Sequence, residues 1–357
     1  MKKLILILLL FLPFKVFAYS TSAKAAILMD MDSGRVIYGK DVHYVQSVAS
    51  ISKIMTAIVA IENSDIEKEV TIGDEVLKAY GSGIYVQIGE KIKLEDLLYG
   101  LMLRSGNDAA LAISVAVSGD TDKFVKMMND KAKELGMKNT TFNNPSGLDE
   151  EKGNFSSAYD MALLMSYAMK SKEFRKITGT KDHTVKTDKN VYKWHNKNKL
   201  LSSYKYITGG KTGFTKIAKR TLVTSASKDG MNLTVVTIND GDDWDDHKNL
   251  YEEAFSEYTS YTLLNKGEIS ILGESYYDKD TLYLKNNFKY LLRKNEESIL
   301  KLKFEINKKR KYKSGDKVGI VKVYLGDKVV HEEGIYVKKG KEKENFWNKI
   351  LSWFKHD

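Results

Sequence analysis

No cysteine occurs in these 357 residues. No disulfide can staple the chain, so stability has to come from buried cores, and thiol nucleophiles and zinc–thiolate sites are excluded. Histidine is scarce as well. The six histidines (43, 183, 195, 247, 331 and 356) are scattered and form no metal-ligand motif, which argues against a metallohydrolase. No metal and no cofactor are expected. A serine–histidine triad would need distant histidines, and no motif points to one. Beyond residue 18 no apolar run is long enough to span a bilayer. No nucleic-acid motif is present either. The formal charge of +10 therefore suits an anionic envelope or lipid headgroups better than nucleic acid.

What is present starts with MKKLILILLLFLPFKVFAYS. Lys2 and Lys3 precede a short apolar core, Leu4 to Leu12, and Val16-Phe17-Ala18 offers a small-residue cleavage site. Residues 1–18 read as a secretory signal peptide of an exported, extracytoplasmic protein. Losing Lys2, Lys3 and Lys15 leaves a charge of +7. Roughly 339 residues remain, enough for two domains.

The first of these extends to about residue 262. "AAILMDMDSGRVIYGKD" (25–41) reads as a hairpin turning at Asp32-Ser33-Gly34. Residues 50–62 read as a helix. Residues 89–120 read as helix, tight turn, helix, with Leu94, Leu97, Leu98 and Leu101 on one face and Ser105-Gly106-Asn107 at the break. Helices are expected at 121–136 and 158–170, the latter opened by Ser157 with Asp160. Two strands over 220–240 join at Asp229-Gly230. From 263 to 340 the pattern changes to short alternating runs, an all-β domain in which Leu300, Leu302, Phe304 and Ile306 share a face. The run "KKRKYK" (308–313) reads as a solvated loop. Residues 341–357 form an amphipathic tail. Phe346, Trp347, Ile350, Leu351, Trp353 and Phe354 fall on one helical face, and a charged linker precedes them. That pattern suits the surface of a membrane.

The chemistry rests on three short motifs. Ser-x-x-Lys occurs six times, at Ser50, Ser202, Ser225, Ser298, Ser314 and Ser352, so one copy means little. An N-capping serine explains any single copy as well. Only the copy at Ser50 and Lys53 lies early in an apolar helix after a hairpin. Ser105-Gly106-Asn107 is the sole Ser-x-Asn and Lys211-Thr212-Gly213 the sole Lys-Thr-Gly. It is their order and context that carry the signal.

These motifs, with "GSGIYVQIGEKIKLEDLLYGLMLRSGNDAA" (81–110), "TTFNNPSGL" (140–148), "SAYDMALL" (157–164), "NKNKLL" (196–201) and "GGKTGFTKIAKRTLV" (209–223), resemble the penicillin-binding serine peptidases. Within that group the likeness is to the low-molecular-mass D-alanyl-D-alanine carboxypeptidases, over roughly 23–340. The resemblance implies an α+β fold: a penicillin-binding/β-lactamase-like catalytic domain (19–262), an antiparallel sheet with helices on both faces, then the small all-β domain. It implies removal of the terminal D-alanine from peptidoglycan stem peptides through an acyl-enzyme, and covalent binding of β-lactam antibiotics. Ser50 would be the nucleophile and Lys53, as a neutral amine, the general base. Its pKa would be lowered by burial and a second cation, Lys211. Ser105 would relay a proton and Asn107 would orient Lys53 and the substrate amide. Lys211, Thr212 and Gly213 would form the substrate-binding strand, with Thr212 and Lys211 holding the terminal carboxylate. The backbone N–H groups of Ser50 and Phe214 would make the oxyanion hole. The family often has histidine where this chain has Ser146 and near Asn154, which bears on pocket-rim contacts and substrate preference.

Three other readings compete. A class A β-lactamase needs a Glu-x-x-Leu-Asn segment between the second and third motifs, and none occurs between Asn107 and Lys211. A transpeptidase or endopeptidase would use the same acyl-enzyme. A non-catalytic muropeptide-binding protein would not need the full set of motif residues.

Overall fold

The computed structural model describes residues 19–149 and 152–340. The expected signal peptide and amphipathic tail lie outside the described residues. The chain divides into two compact units, the second made of Glu257 onward together with 32–35 and 229–231.

The first unit is built on a five-stranded sheet in the order Val36–Lys40, Ala25–Asp30, Met231–Ile238, Lys219–Lys228, Ile207–Thr215. Ala25 pairs with Ile238 and Asp30 with Leu233, antiparallel, so the first and last parts of the unit meet at the sheet's centre. All six residues of Ala25–Asp30 are buried. A strand covered on both faces shows a continuous apolar run instead of alternation. On one face Ala25, Ile27, Met29, Val223, Val236 and Ile238 join the main core with the Lys53–Asn63 and Ala158–Ala168 helices. On the other, the Asp243–Glu257 helix sets His247 between Thr224 (2.7 Å) and Thr237 (3.1 Å). Burial pushes that imidazole down to about 3, so it stays neutral and serves the sheet.

Two expected helices gain detail. Ser50 lies in a 3₁₀ turn, Ala49–Ser52, that runs into the α-helix Lys53–Asn63. The helix from Leu94 buries Leu94, Leu97, Leu98 and Leu101, then widens into a π-turn over Gly100–Arg104 and stops at Ser105, whose φ is +63°. The Ile207–Thr215, Asp182–Lys186 and Val191–His195 strands were not singled out from the pattern, since glycines and charges interrupt their alternation.

Among the described residues from 258 onward the second unit is all β apart from one 3₁₀ turn. Tyr258–Leu264 pairs with Phe288–Arg293, and a five-stranded sheet runs Gly267–Ile269, Thr281–Leu284, Lys328–Lys338, Lys317–Leu325, Leu300–Ile306. Its core includes Leu282, Leu284, Val318, Val321, Val323, Ile335 and Val337. At the start of this unit the Asp243–Glu257 helix passes directly into the Tyr258–Leu264 strand. The shared face of Leu300–Ile306 is less covered than its alternation suggests: Leu302 and Phe304 are exposed. This strand is the sheet's edge and has a neighbour on one side only.

Candidate active site

The three motifs come from three different elements and converge on one cleft of about 390 Å³. Ser50, Ser105, Thr212, Gly213, Phe214 and Thr221 line it.

The nucleophile pair owes its geometry to the 3₁₀ turn. Three residues per turn eclipse positions i and i+3, so Lys53 lies directly beneath Ser50 and its Nζ is 3.0 Å from Ser50 Oγ. Ala49, just before, has φ +50°, a strained value for a residue with a side chain. Lys53 is fully buried, which is costly for an ammonium. Its Nζ faces three oxygens: Ser50 Oγ, Asn107 Oδ1 at 2.7 Å, and the carbonyl of Ser146. A neutral amine has two hydrogens. Asn107 and Ser146 take both, and the lone pair is left facing Ser50. Burial, and secondarily the positive charge of Lys197, lower the Lys53 pKa to about 7, against an opposing pull from Asp108.

Asn107 begins the Asn107–Ser118 helix, and its Nδ2 donates to the carbonyl of Tyr80. Ser105 lies nearly buried beside it in the cleft lining. Among the described residues its hydroxyl bonds neither Ser50 nor Lys53.

The third motif is on the sheet's edge strand. Gly213 faces Thr221 in the ladder. A Cβ at Gly213 would stand 2.4 Å from Thr221 Oγ1 and 3.1 Å from the backbone nitrogens of Ser50 and Ile51. Glycine is required there by close approach of the nucleophile turn. Lys211 lies one residue before Thr212 on the same strand. It is buried, its Nζ donates to the Thr212 carbonyl at 2.7 Å, and it is absent from the cleft lining. Burial, Lys53 and Lys197 together push its pKa well down. Lys197 lowers the Lys53 pKa by its charge, and Lys53 and Lys211 are themselves coupled by charge.

Lys197 and Arg220 were missed. Lys197 lines the cleft and donates to Ser82 Oγ at 3.1 Å; desolvation, with Arg104 adding to it, lowers its own pKa. It lies within "NKNKLL", where the sequence offered a likeness but no role. Arg220 lines the other end, paired with buried Asp243 and stacked over Trp244. The arginine and aspartate are 23 residues apart with no motif between them, so only the fold joins them.

A loop closes the site. Asn144 Oδ1 accepts from Ser146 N, Ser146 Oγ and Gly147 N, which aims the Ser146 carbonyl at Lys53. Asn154 is fully buried. It donates to Ser52 Oγ (3.0 Å) and the Asn144 carbonyl (2.9 Å) and accepts from two backbone N–H groups. It therefore supports this loop from beneath and makes no rim contact. Asp149 accepts from Ser47 and Thr215, linking the loop to the nucleophile segment and the edge strand.

A family model described as D-alanyl-D-alanine carboxypeptidase matches residues 13–242, and one described as Penicillin-binding protein 5, C-terminal domain matches 258–343. The D-alanyl-D-alanine carboxypeptidase DacF of Bacillus subtilis (strain 168) is 36% identical over 257 residues, which is 69% of this chain and 65% of that protein. DacA of Haemophilus influenzae is 28% identical over 359 residues, 93% of this chain and 88% of the relative. Among solved structures, penicillin binding protein 5 from Haemophilus influenzae matches with a TM-score of 0.76 at 26% identity, covering 90% of this chain and 98% of that one. A point mutant of the Streptomyces K15 DD-transpeptidase matches with a TM-score of 0.63 at 31% identity, covering 66% and 99%.

Proposed function

This chain belongs to the D-alanyl-D-alanine carboxypeptidase family, and from that premise we propose that it removes the terminal D-alanine of peptidoglycan stem peptides through an acyl-enzyme on Ser50. The observation that carries this reading is the buried Lys53 amine, 3.0 Å from Ser50 Oγ with its other partners accounted for.

Neutral Lys53 takes the Ser50 proton as Oγ attacks the carbonyl between the two D-alanines. The backbone N–H groups of Ser50 and Phe214 receive the developing oxyanion. Ser105 passes the proton to the leaving amine, free D-alanine departs, and water hydrolyses the ester. The substrate runs along the open side of the Ile207–Thr215 edge strand, as an added strand does. Its carboxylate rests on Thr212, next to Lys211, with Arg220 in the cleft lining as a complementing cation. A β-lactam follows the same first step and stays attached. Incubating the protein with a pentapeptide ending in D-Ala-D-Ala should release one equivalent of D-alanine per peptide. Prior treatment with penicillin should stop the release and add one adduct mass to the peptide containing Ser50. Release that survives full labelling would overturn the assignment.

The Streptomyces K15 DD-transpeptidase likeness supports one alternative, transfer of the same acyl group to an amine. Its product is a cross-linked dimer, so the pentapeptide assay with an added amine acceptor separates the two.

We also assign the chain's layout: signal peptide 1–18, catalytic domain 19–262, all-β domain 263–340, and a tail, 341–357, lying on the outer face of the cytoplasmic membrane. The two tryptophans and flanking lysines of the tail support this placement. Among the described residues no helix is long and apolar enough to cross a membrane. The mature protein should co-sediment with anionic liposomes, and a chain ending at Glu344 should not. Equal sedimentation of the two would remove the tail from the picture.

A further inference from the structure

The run Lys308-Lys309-Arg310-Lys311-Tyr312-Lys313 has no part in the reaction. Its five cationic side chains all stand in water, and among the described residues none of them pairs with a carboxylate. Lysines of the adjoining strands do find partners: Lys303 and Lys322 both bond Glu305. Like charges held together repel, yet the backbone of this loop is fixed. Tyr276 Oη donates to the Lys309 carbonyl (2.9 Å), and Tyr277 Oη donates to the Asn307 carbonyl (2.6 Å) and accepts from Lys309 N (3.1 Å). Tyr312 Oη donates to Asp280. Two other segments meet the loop at this corner of the all-β unit. Asp280 also accepts from Gly340 N (2.9 Å), and Ser314 Oγ accepts from Lys339 N (2.9 Å), so the chain leaves the corner one residue before 341–357 begins. Tyr276 and Tyr277 follow a turn made by Gly273 at φ +81°. Ile271 packs that turn onto the unit's core, while Leu272 is 105% exposed.

We propose that this corner docks on anionic lipid headgroups, with the 308–313 loop in the headgroup layer and Leu272 entering the apolar boundary below it. The proposal goes beyond the assignment of the tail and rests on it in one respect: a tail lying on the membrane and leaving from Gly340 brings this corner to the same surface. The side chains favour a lipid surface over a soluble polyanion. Phosphates of either kind complement five unpaired cations, but only a bilayer has an apolar layer for Leu272. The carboxylates of the network, Asp280 and Asp316, are held by Tyr312, the Gly340 N–H and the Lys313 N–H, and they shape the loop from behind. One amphipathic contact gives reversible attachment, and a second signal beside it makes attachment stable.

The test measures binding of the full mature chain to vesicles of phosphatidylglycerol with phosphatidylcholine, and to vesicles of phosphatidylcholine alone. Each basic residue at an anionic surface adds about five-fold to binding. Combining Lys308→Gln, Lys309→Gln, Arg310→Gln and Lys311→Gln should therefore weaken binding to the anionic vesicles by about 100-fold or more, and leave binding to the neutral ones unchanged. Leu272→Ser should weaken it by about ten-fold. A loss under about ten-fold in the combined variant overturns the proposal. So does inorganic polyphosphate binding that needs the loop while Leu272→Ser leaves vesicle binding unchanged, the mark of a polyanion site. Because the chain has no cysteine, Leu272→Cys carries a single environment-sensitive dye, whose emission should shift to the blue on anionic vesicles. The same dye at Val329→Cys should not shift, since Val329 pairs with Tyr324 at the far end of the hairpin from Lys317 and Tyr336. No shift at 272, or an equal shift at both positions, overturns the proposal. All the changed side chains are exposed, and folding should hold; if the combined variant unfolds, the dye at 272 decides. The chain ending at Glu344 reads the tail and the combined variant reads the loop, so either can fail while the other stands. A mature chain that binds no anionic vesicle overturns both.

Discussion

Lys53→Arg should slow acylation of Ser50 by penicillin by about 10³-fold, within the range general-base catalysis contributes. The variant retains a positive charge at the base of the cleft but has no neutral form at any working pH. The Ser50 proton then has no acceptor: Asn107 Oδ1 and the Ser146 carbonyl are the other oxygens around Nζ, and neither binds a proton at neutral pH. Lys53→Met should be similarly slow while filling the same space without a charge, which separates loss of the base from any strain the larger guanidinium causes. The time course of adduct formation by intact-protein mass spectrometry checks both. If either variant acylates within ten-fold of wild type, Lys53 is not the base.

Wild-type acylation should fall about 50-fold between pH 7 and pH 5, since a base with a pKa of about 7 is about half neutral at pH 7 and about 1% neutral at pH 5. The limb is placed near neutrality because burial and Lys197 bring Lys53 to about 7. The sign for a variant follows directly. A neighbouring cation disfavours the protonated form, so Lys197→Met should let the Lys53 pKa rise and move the whole limb to higher pH. At pH 7 the variant should be slower than wild type, with the deficit recovered on raising the pH. A limb at the same pH in both proteins would show that Lys197 does not act on Lys53 by charge. A pH-independent rate in wild type would remove the lysine titration altogether.

Much of the architecture was legible in the chain. The opening hairpin, the helices from 53, 94, 107, 121 and 158, the paired strands through Asp229-Gly230 and the change to β texture all follow from period and turn chemistry. The α+β class with an all-β second domain agrees with the structural relatives. Legibility failed where the signal was not periodic. The Ile207–Thr215 strand carries three glycines, and its Gly213 is there because a Cβ would stand 3.1 Å from the backbone nitrogens of the nucleophile turn, a requirement that no local pattern encodes. The edge strand Leu300–Ile306 alternates like a covered strand, yet coverage depends on what packs against it.

The site divides along the same line. Ser50 and Lys53 are three residues apart, and a single turn brings them together; the order of the three motifs was enough to pick this copy of Ser-x-x-Lys from six. Residue types and local spacing therefore determined which groups could do chemistry. Tertiary structure alone decided their electrical state and surroundings. It buried Lys53 and Lys211 together, brought Lys197 in from 144 residues beyond Lys53, turned a backbone carbonyl of the 144–149 loop onto the amine, and joined Arg220 to Asp243. Charge interactions and desolvation depend on distance through space and on what excludes water, and neither quantity is written in the order of residues along a chain.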